Sequence, residues 1–254
     1  TIEVFGGVVD AYTMTEAVKD GITVNLVYDG RAAKVMLNQD KVRQIEEYYA
    51  QCELEGANEH QVEESQKAVA KMEVIIGDPD RLRAVAEDFI KHYETRVAEG
   101  ATVAGKAMFV CSNRNIAYDF YKIVKELRPE WTEKKICDDG VVLSEKDKKE
   151  LKPMEKIKLV MTRNKDDEKD LFDMLGTKED RKEFDRQFKN PKSNFKIAIV
   201  VDMWLTGFDV PELDTIYIDK PIQQHTLIQT ISRVNRVCEG KDKGLIVDYI
   251  GIKK

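Results

Sequence analysis

The sequence predicts an α/β protein in which a parallel β-sheet carries helices on both faces. Short, continuously apolar segments such as Ile197–Val201 are typical of strands buried on both faces. Helical patterns such as Arg114–Leu127 separate these segments, as they do in parallel sheets. The chain has 254 residues, 42% of them hydrophobic, which is enough for one large domain or for one domain with an insertion.

The first 38 residues are predicted to form a lead-in helix and a β-hairpin. Thr13–Glu16 has the pattern of a capping box and begins a short helix that ends near Gly21. The segment Thr23–Tyr28 is rich in β-forming residues and Asp29-Gly30 marks a turn. Ala32–Leu37 is then predicted to return as the second strand.

Residues 39–99 are predicted to form a helical insertion ahead of the main sheet. Glycine is scarce there, charge is dense, and apolar residues recur at helical spacing. The last of three predicted helices is the best marked, with Asp78 as its N-cap and Pro79 at its first position.

Residues 100–254 are predicted to form the main domain, with ligands at the C-terminal ends of its strands. The predicted strands are Ala107–Cys111, Ile157–Met161, Lys196–Val201, Thr215–Ile218 and Gly244–Asp248. The predicted helices are Arg114–Leu127, Asp180–Phe188 and Thr226–Arg236, and the polar stretch Trp131–Glu155 is predicted to be a loop with short helices.

Composition excludes several classes of protein. A net charge of −6 argues against a wholly basic nucleic-acid coat, although it allows a local basic track. Apolar runs are too short to span a bilayer, and no signal-peptide pattern is present. Four scattered cysteines and three distant histidines predict neither a zinc site nor a disulfide framework, which favours the cytoplasm. Because the first residue is Thr1, we expect the chain to be part of a longer protein.

One glycine-rich segment imitates a phosphate-binding loop. Gly100–Lys106 fits the pattern G-x-x-x-x-G-K, but Ala107 stands where a Ser or Thr should bind Mg²⁺. The segment also follows a predicted helix and opens a strand, which is the reverse of a phosphate-binding loop. We therefore do not interpret it as a phosphate-binding loop.

A glutamine and two arginines near the C-terminus are candidates for phosphate chemistry. Gln229, Arg233 and Arg236 follow one another at spacings of four and three, which on a helix place side chains on one face. Two guanidiniums on that face can stabilise the charge that develops on a γ-phosphoryl group. The alternative is a surface helix with two solvated arginines.

A second candidate segment follows the predicted strand Lys196–Val201. Gly207 would let the backbone approach a phosphate or a sugar. Asp202 and Asp209 could accept hydrogen bonds from a ribose hydroxyl, an arginine or a metal-bound water. The alternative is an ordinary turn that is closed by Pro211.

A third candidate lies at the end of the strand Ala107–Cys111. Ser112 or Asn113 can cap the helix that follows. The N-terminus of that helix, together with Arg114, also forms a phosphate site suited to a nucleic-acid backbone.

Together, the three segments resemble motifs IV, V and VI of the second RecA-like domain of superfamily 2 helicases and translocases. The similarity narrows to the motor (R) subunit of type I restriction enzymes and covers nearly the whole chain. The segments that carry it are Tyr12–Arg31, Ala86–Tyr93, Lys106–Arg114, Val201–Asp209, Tyr217–Pro221, Gln229–Val237 and Gly244–Gly251.

The resemblance implies a RecA-like fold and ATP-driven translocation of double-stranded DNA. By position, Arg236 would be the arginine finger and Arg233 a second phosphate or coupling contact. Gln229 would orient groups at the same interface, and Gly207 and Asp209 would line the nucleotide side of the cleft.

The resemblance also implies contacts with the DNA backbone by Ser112, Arg114 and Thr206. Val201 stands where many relatives have a threonine, so no DNA contact is assigned to it. The implied partners are double-stranded DNA, the methyltransferase (M) and specificity (S) subunits, and the first RecA-like domain of the same subunit.

The sequence contains no Walker A motif, no D-E-x-H motif and no spaced set of nuclease residues. The resemblance assigns ATP and Mg²⁺ mainly to the first motor domain, so we expect the isolated chain to be catalytically inactive and to hold no metal. One alternative is a non-catalytic DNA-binding or scaffolding module of a different helicase-like protein. A nucleotide-binding metabolic enzyme should show G-x-G-x-x-G after a strand, and none is present.

Overall fold

A six-stranded parallel β-sheet forms the centre of the protein in the computed structural model, which describes residues 13–32, 72–222 and 224–251. Its spatial order is β1-β6-β5-β2-β4-β3, and each pair of neighbours is parallel. The strands are β1 (Asn25–Gly30), β2 (Lys106–Cys111), β3 (Ile157–Val160), β4 (Ile197–Val200), β5 (Leu213–Asp219) and β6 (Lys243–Asp248). This confirms the predicted parallel α/β sheet.

Helices connect the strands and cover both faces of the sheet. They are α1 (Met14–Lys19), α2 (Pro79–Ala98), α3 (Arg114–Leu127), α4 (Glu145–Glu150), α5 (Lys169–Leu175), α6 (Lys178–Lys189) and α7 (Gln224–Ile231), with a 3₁₀ turn at Pro129–Thr132. Local caps begin them as predicted: Thr13 and Glu16 form a capping box, and Asp78 and Asn113 cap α2 and α3.

The apolar core has two layers, one on each face of the sheet. Side chains alternate along a strand, so Phe109 of β2 packs against Phe89 of α2 and Phe120 of α3. Its neighbours in β2 belong to the opposite layer, which contains Phe184 and Phe188 of α6. Because both layers are filled, the central strands β2, β4 and β5 are buried along their whole length.

β1 joins the main sheet and runs through the position of the predicted turn. It pairs with β6 from Asn25–Lys243 to Gly30–Asp248, so the predicted turn at Asp29-Gly30 is wrong. The ladder to β6 keeps these residues extended, a long-range contact that turn propensity does not register. The proposed return strand, residues 32–37, and the helical region 39–71 lie almost wholly outside the described residues. The domain boundaries after residues 38 and 99 stay predictions.

A buried ion pair fastens α2 to the centre of the sheet. The Arg81 guanidinium lies 2.5 Å from Asp219 at the end of β5, and the two side chains are 1% and 0% exposed. Arg81 also donates to the carbonyl oxygens of Ile76 and Tyr249 at 3.0 and 3.3 Å. Residues 72–98 thus pack directly on the sheet. Within the described ranges, no helix combines the length and the apolar character that crossing a membrane requires.

Candidate functional site

Two connections between strands carry most of the candidate residues. Residues 201–212 lead from the end of β4 to the start of β5, and residues 220–242 lead from the end of β5 to the start of β6. A connection between parallel strands starts at the C-terminal end of one strand and must return to the N-terminal end of the next. Both connections therefore finish beside the beginnings of strands. Lys241 ties them together there, donating to the carbonyls of Pro211 and Leu213 at 2.8 and 2.7 Å. Burial lowers the pKa of Lys241 to about 8.

The two arginines do not lie on a helix. α7 ends at Ile231, so the prediction of a helix over Thr226–Arg236 is wrong for its last part. The amides of Arg233 and Val234 donate to carbonyls three residues back, at 3.2 and 3.1 Å, which is a tighter pattern than an α-helix. Residues 232–236, hereafter the arginine segment, therefore leave the helix in a turn.

Contacts with the region before β1 draw the arginine segment out of the helix. The amide of Val24 donates to the carbonyl of Asn235 at 2.8 Å. Thr23 and Arg236 form an isolated antiparallel bridge. The pair of arginines therefore lies beside the beginnings of β1 and β6. This differs from the expectation that ligand-binding groups gather at the C-terminal ends of the strands.

A glycine in β6 permits the close approach of the arginine segment. Val234 is fully buried, and its carbonyl oxygen would lie 2.2 Å from a Cβ added at Gly244. The Leu26 side chain of β1 would lie 3.0 Å from the same position. No side chain larger than hydrogen fits here unless the backbone moves.

Arg233 is anchored to backbone oxygens. Its Nη1 donates to the carbonyl of Phe208 at 2.7 Å, and its Nε donates to the carbonyl of Gln229 at 3.1 Å. Nη2 donates to the Ser232 hydroxyl at 3.2 Å. Burial, followed by the positive charge of Arg236, lowers the pKa of Arg233, although a guanidinium keeps its proton in a protein. Gln229 thus contributes its main-chain oxygen to the site.

Arg236 is held only loosely by its side-chain partner. Its Nε lies 3.3 Å from Oδ1 of Asp209, and the two side chains are 51% and 61% exposed. An ion pair as exposed as this one contributes roughly 0–1 kcal/mol. A phosphate could therefore replace the carboxylate at little cost in free energy.

Gly207 gives the connection after β4 its open turn. Its φ is +69°, a left-handed conformation, and a Cβ added there would meet nothing within 4 Å. Thr206, Gly207 and Asp209 are all exposed. The structure thus brings the candidate residues Gly207 and Asp209 to the same side of the sheet as the two arginines.

The candidate nucleic-acid contacts at the end of β2 already have protein partners. The Ser112 hydroxyl donates to the carbonyl of Asp219 at 2.9 Å. Arg114 donates from Nη2 to both carboxylate oxygens of Asp167 at 2.6 Å, and from Nη1 to the carbonyl of Thr162 at 2.6 Å. Sequence reasoning missed Asp167 because it lies 53 residues from Arg114 in a polar loop.

Lys220 is a second residue that the sequence did not single out. Its Nζ lies 2.5 Å from Oδ1 of Asp202 and 3.1 Å from the carbonyl of Val201. Asp202 was predicted to accept from a sugar, an arginine or a metal-bound water, and its partner here is a lysine. The signal was present, since Lys220 lies in the segment Tyr217–Pro221 that carries the family resemblance.

The segment that imitates a phosphate-binding loop lies between a helix and a strand, in the order that the sequence predicted. Gly100 and Gly105 both have φ of +66° and join α2 to β2. Lys106 is the first residue of β2 and is buried, with its Nζ 2.5 Å from the carbonyl of Phe195. Among the residues that the structure describes, no cluster of His, Cys, Asp and Glu could hold a metal ion.

Comparisons with known proteins identify relatives of the whole chain. The family model for type I restriction enzyme subunit R domain 3 matches residues 103–251, and that for the SWI2/SNF2 ATPase matches residues 1–63. The HindI type I restriction endonuclease subunit of Haemophilus influenzae is 37% identical over 100% of this chain. A Methanocaldococcus jannaschii protein described as the MjaIXP endonuclease subunit is 37% identical over 99% of the chain. This chain spans 22% of the length of each relative.

A solved structure has the same fold. It is a fragment described as an HsdR subunit of a type I restriction enzyme from Vibrio vulnificus YJ016. It superposes with a TM-score of 0.56 at 12% identity, over 98% of this chain and 36% of the other. At this identity the match supports the fold alone, which agrees with the predicted RecA-like sheet.

Proposed function

The chain belongs to the R subunits of type I restriction enzymes, and we propose that it is the second half of their ATP-dependent DNA-translocating motor. The single observation that carries the proposal is the half-exposed guanidinium of Arg236 beside the open turn at Gly207 and Asp209. A cation with a replaceable partner, next to a backbone without a side chain, suits the outer phosphate of a nucleotide. The first RecA-like domain of the same subunit supplies the other half of the site.

ATP is the substrate in this proposal. Mg²⁺ would be held with it by the first domain and would neutralise phosphate charge there. Closure of the two domains brings Arg236 against the γ-phosphate, and its guanidinium leaves Asp209. It then donates hydrogen bonds to oxygens on which negative charge develops. Arginine fingers in other phosphoryl-transfer systems contribute ~10³–10⁵ in rate.

Arg233 has a different role from Arg236. Since two of its donors bind the carbonyls of Phe208 and Gln229, it links the connection after β4 to the end of α7. Movement of either element is therefore passed to the arginine segment. We assign Arg233 to coupling, with its remaining donors available to a phosphate, and Gln229 to the main-chain part of this link.

The proposed DNA contacts are Ser112, Arg114 and Thr206, on double-stranded DNA. Ser112 precedes the N-terminus of α3, where backbone amides favour an anion. Arg114 reaches a DNA phosphate only through donors that Asp167 and Thr162 leave available. When the domains reopen, these contacts move to another position along the DNA backbone. The M and S subunits are the proposed partners that direct this motor to its sites.

The decisive experiment uses the full-length R subunit that carries this sequence. Arg236→Ala should nearly abolish DNA-stimulated ATP hydrolysis while the circular dichroism spectrum is unchanged. Arg83→Ala removes a similarly exposed arginine of α2 and should leave turnover intact. Normal turnover by the Arg236 variant would overturn the assignment. Loss of DNA binding with intact turnover would favour the scaffolding alternative.

A further inference from the structure

Trp204 has an unusual backbone conformation. Across the parts of the chain that the structure describes, it is the one non-glycine residue with a positive φ, at 69°. A bulky residue rarely adopts this region, and it persists only where the surroundings hold it there. Residues 202–209, hereafter the 202–209 loop, therefore contain a residue with a strained backbone, which its contacts must hold in place.

Aromatic contacts fix the Trp204 side chain. Its ring is parallel to that of Phe208, with centroids 4.1 Å apart and an interplanar angle of 3°. Phe188 and Phe195, both fully buried, lie 5.2 and 6.4 Å from Trp204. Trp204 thus joins buried core residues in and after α6 to Phe208, near the end of the 202–209 loop.

Phe208, one member of the stacked pair, and the residue after it contact both arginines. The carbonyl oxygen of Phe208 accepts the hydrogen bond from Arg233, and the next residue, Asp209, pairs with Arg236. Because the Phe208 ring lies flat against Trp204, rotation of the 202–209 loop would displace that carbonyl. The ring of Trp204 makes the closest ring contact of Phe208, whose ring also lies 6.0 Å from that of Phe188 and 5.0 Å from the Lys189 ammonium group.

We propose that Trp204 is a positioning residue for ATP hydrolysis, which fixes Arg233 and Arg236 through Phe208 and Asp209. The inference rests on the proposed function for its kinetic consequence, but its geometric part is independent of that function. Trp204 touches neither nucleotide nor DNA in this scheme. Its loss should lower kcat and leave KM for ATP almost unchanged, because ATP is held mainly by the first domain.

The kinetic test compares two variants in the full-length R subunit. Trp204→Leu keeps apolar bulk but removes the parallel stack, and Trp204→Phe keeps a ring. We expect the leucine variant to lose about 100-fold in kcat, the order of loss that follows a misplacement of about 1 Å. Its KM for ATP should change by less than about threefold, and the phenylalanine variant should recover most of the turnover.

Trp131, the other of the two tryptophans, offers a matched control. It is buried on the opposite face of the sheet, against Phe89 and Tyr93. Trp131→Leu removes a buried indole ring that does not contact the arginines, so it should lower stability but not kcat. Equal loss of kcat in the Trp131 and Trp204 leucine variants would reduce Trp204 to a general packing role and overturn the inference.

A second measurement separates this inference from the proposed function. In the 254-residue chain labelled with ¹⁵N-arginine, the Nε–H resonance of Arg233 should shift and lose exchange protection in Trp204→Leu. It should stay in place in Trp204→Phe and in Trp131→Leu. An unmoved resonance, or full kcat in Trp204→Leu while Arg236→Ala is inactive, refutes the inference alone. Full turnover by Arg236→Ala refutes the proposed function, and the Arg233 resonance then still decides the geometric part.

Should the leucine variant not fold, Trp204→Phe decides: an Arg233 resonance that matches the wild type supports the inference, and a displaced one contradicts it.

Discussion

Arg233 donates a hydrogen bond from Nη1 to the carbonyl oxygen of Phe208 at 2.7 Å, which binds the end of α7 to the connection after β4. Arg236, three residues later, has the exposed carboxylate of Asp209 as its one side-chain partner among the residues that the structure describes. The two arginines are therefore unequal. One holds the site together, and the other can exchange its partner.

The first prediction concerns the separate effects of the two arginines on stability. Arg233→Ala should lower the free energy of unfolding by about 1–2 kcal/mol, because it leaves backbone carbonyls without a charged donor. Arg236→Ala should change it by less than about 0.5 kcal/mol, because it removes only an exposed ion pair. Urea denaturation of the 254-residue chain measures both. Equal destabilisation by the two substitutions would contradict the distinction between an anchored and a replaceable arginine.

The second prediction concerns Gly244, on which the arginine segment rests. Gly244→Ala places a methyl group 2.2 Å from the carbonyl oxygen of Val234, so the backbone must move. Overpacking of this kind typically costs about 1–3 kcal/mol, and here it should also impair ATP turnover in the full-length subunit. Gly30→Ala is the matched control in β1, since its Cβ would meet only a Tyr28 ring carbon at 3.4 Å. If the Gly244 variant is as stable and active as wild type, the arginine segment does not need its close contact with Gly244.

The third prediction concerns acid sensitivity through His92. Burial, followed by the positive charges of Arg31 and Arg96, lowers the pKa of His92 to about 4. An unfolded histidine titrates near pH 6.5. Between these values the unfolded chain binds a proton that the folded chain refuses, so stability falls as pH falls from about 6.5 to 4. Its Nδ1 lies 2.9 Å from the Tyr217 hydroxyl, a contact that glutamine can replace.

The check is the free energy of unfolding of wild type and His92→Gln, measured from pH 7.5 to 4.5. The variant should lose less stability across this interval than wild type does. The other two histidines are the same in both chains and cancel in the comparison. Parallel pH profiles would mean that folding does not lower the pKa of His92.

The fourth prediction concerns the ion pair between Arg81 and Asp219. Asp219→Ala leaves the guanidinium charged and buried, which should cost about 3–5 kcal/mol. Glu126→Ala breaks an exposed pair with Arg83 on the outer side of α2 and should cost far less, because water screens such a pair. Thermal and urea unfolding distinguish the two. A small effect of Asp219→Ala would indicate that water reaches Arg81 readily.

Local signals in the sequence were reliable guides to most elements. The predicted helix Arg114–Leu127 has the observed bounds of α3, because its cap at Asn113 and the proline after Arg128 act within the segment itself. The strands from β2 to β6 were found from continuous apolar runs, with ends that differ from prediction by at most two residues. The helix α5 was missed, since its seven residues are too few for a clear period.

Signals that depend on distant residues were missing from the sequence. Turn propensity at Asp29-Gly30 was overridden by the ladder between β1 and β6. Helical spacing beyond Ile231 was overridden by the bridge between Thr23 and Arg236. The pairing of Arg114 with Asp167 also joins residues far apart in the chain. None of these contacts produces a periodic pattern of residues in either of the two segments that it joins.

By itself, the sequence determined the parallel α/β architecture, the order of the candidate segments and the family, because apolar runs, caps and motifs are local patterns. Only the tertiary structure decided that Arg233 is anchored and that Arg236 is replaceable. The reason is that their partners, Phe208 and Asp209, belong to the connection from β4 to β5, whereas the arginines belong to the connection from β5 to β6. The two crossovers meet at the strand beginnings since each must return there, a consequence of parallel pairing that acts only once the sheet is assembled.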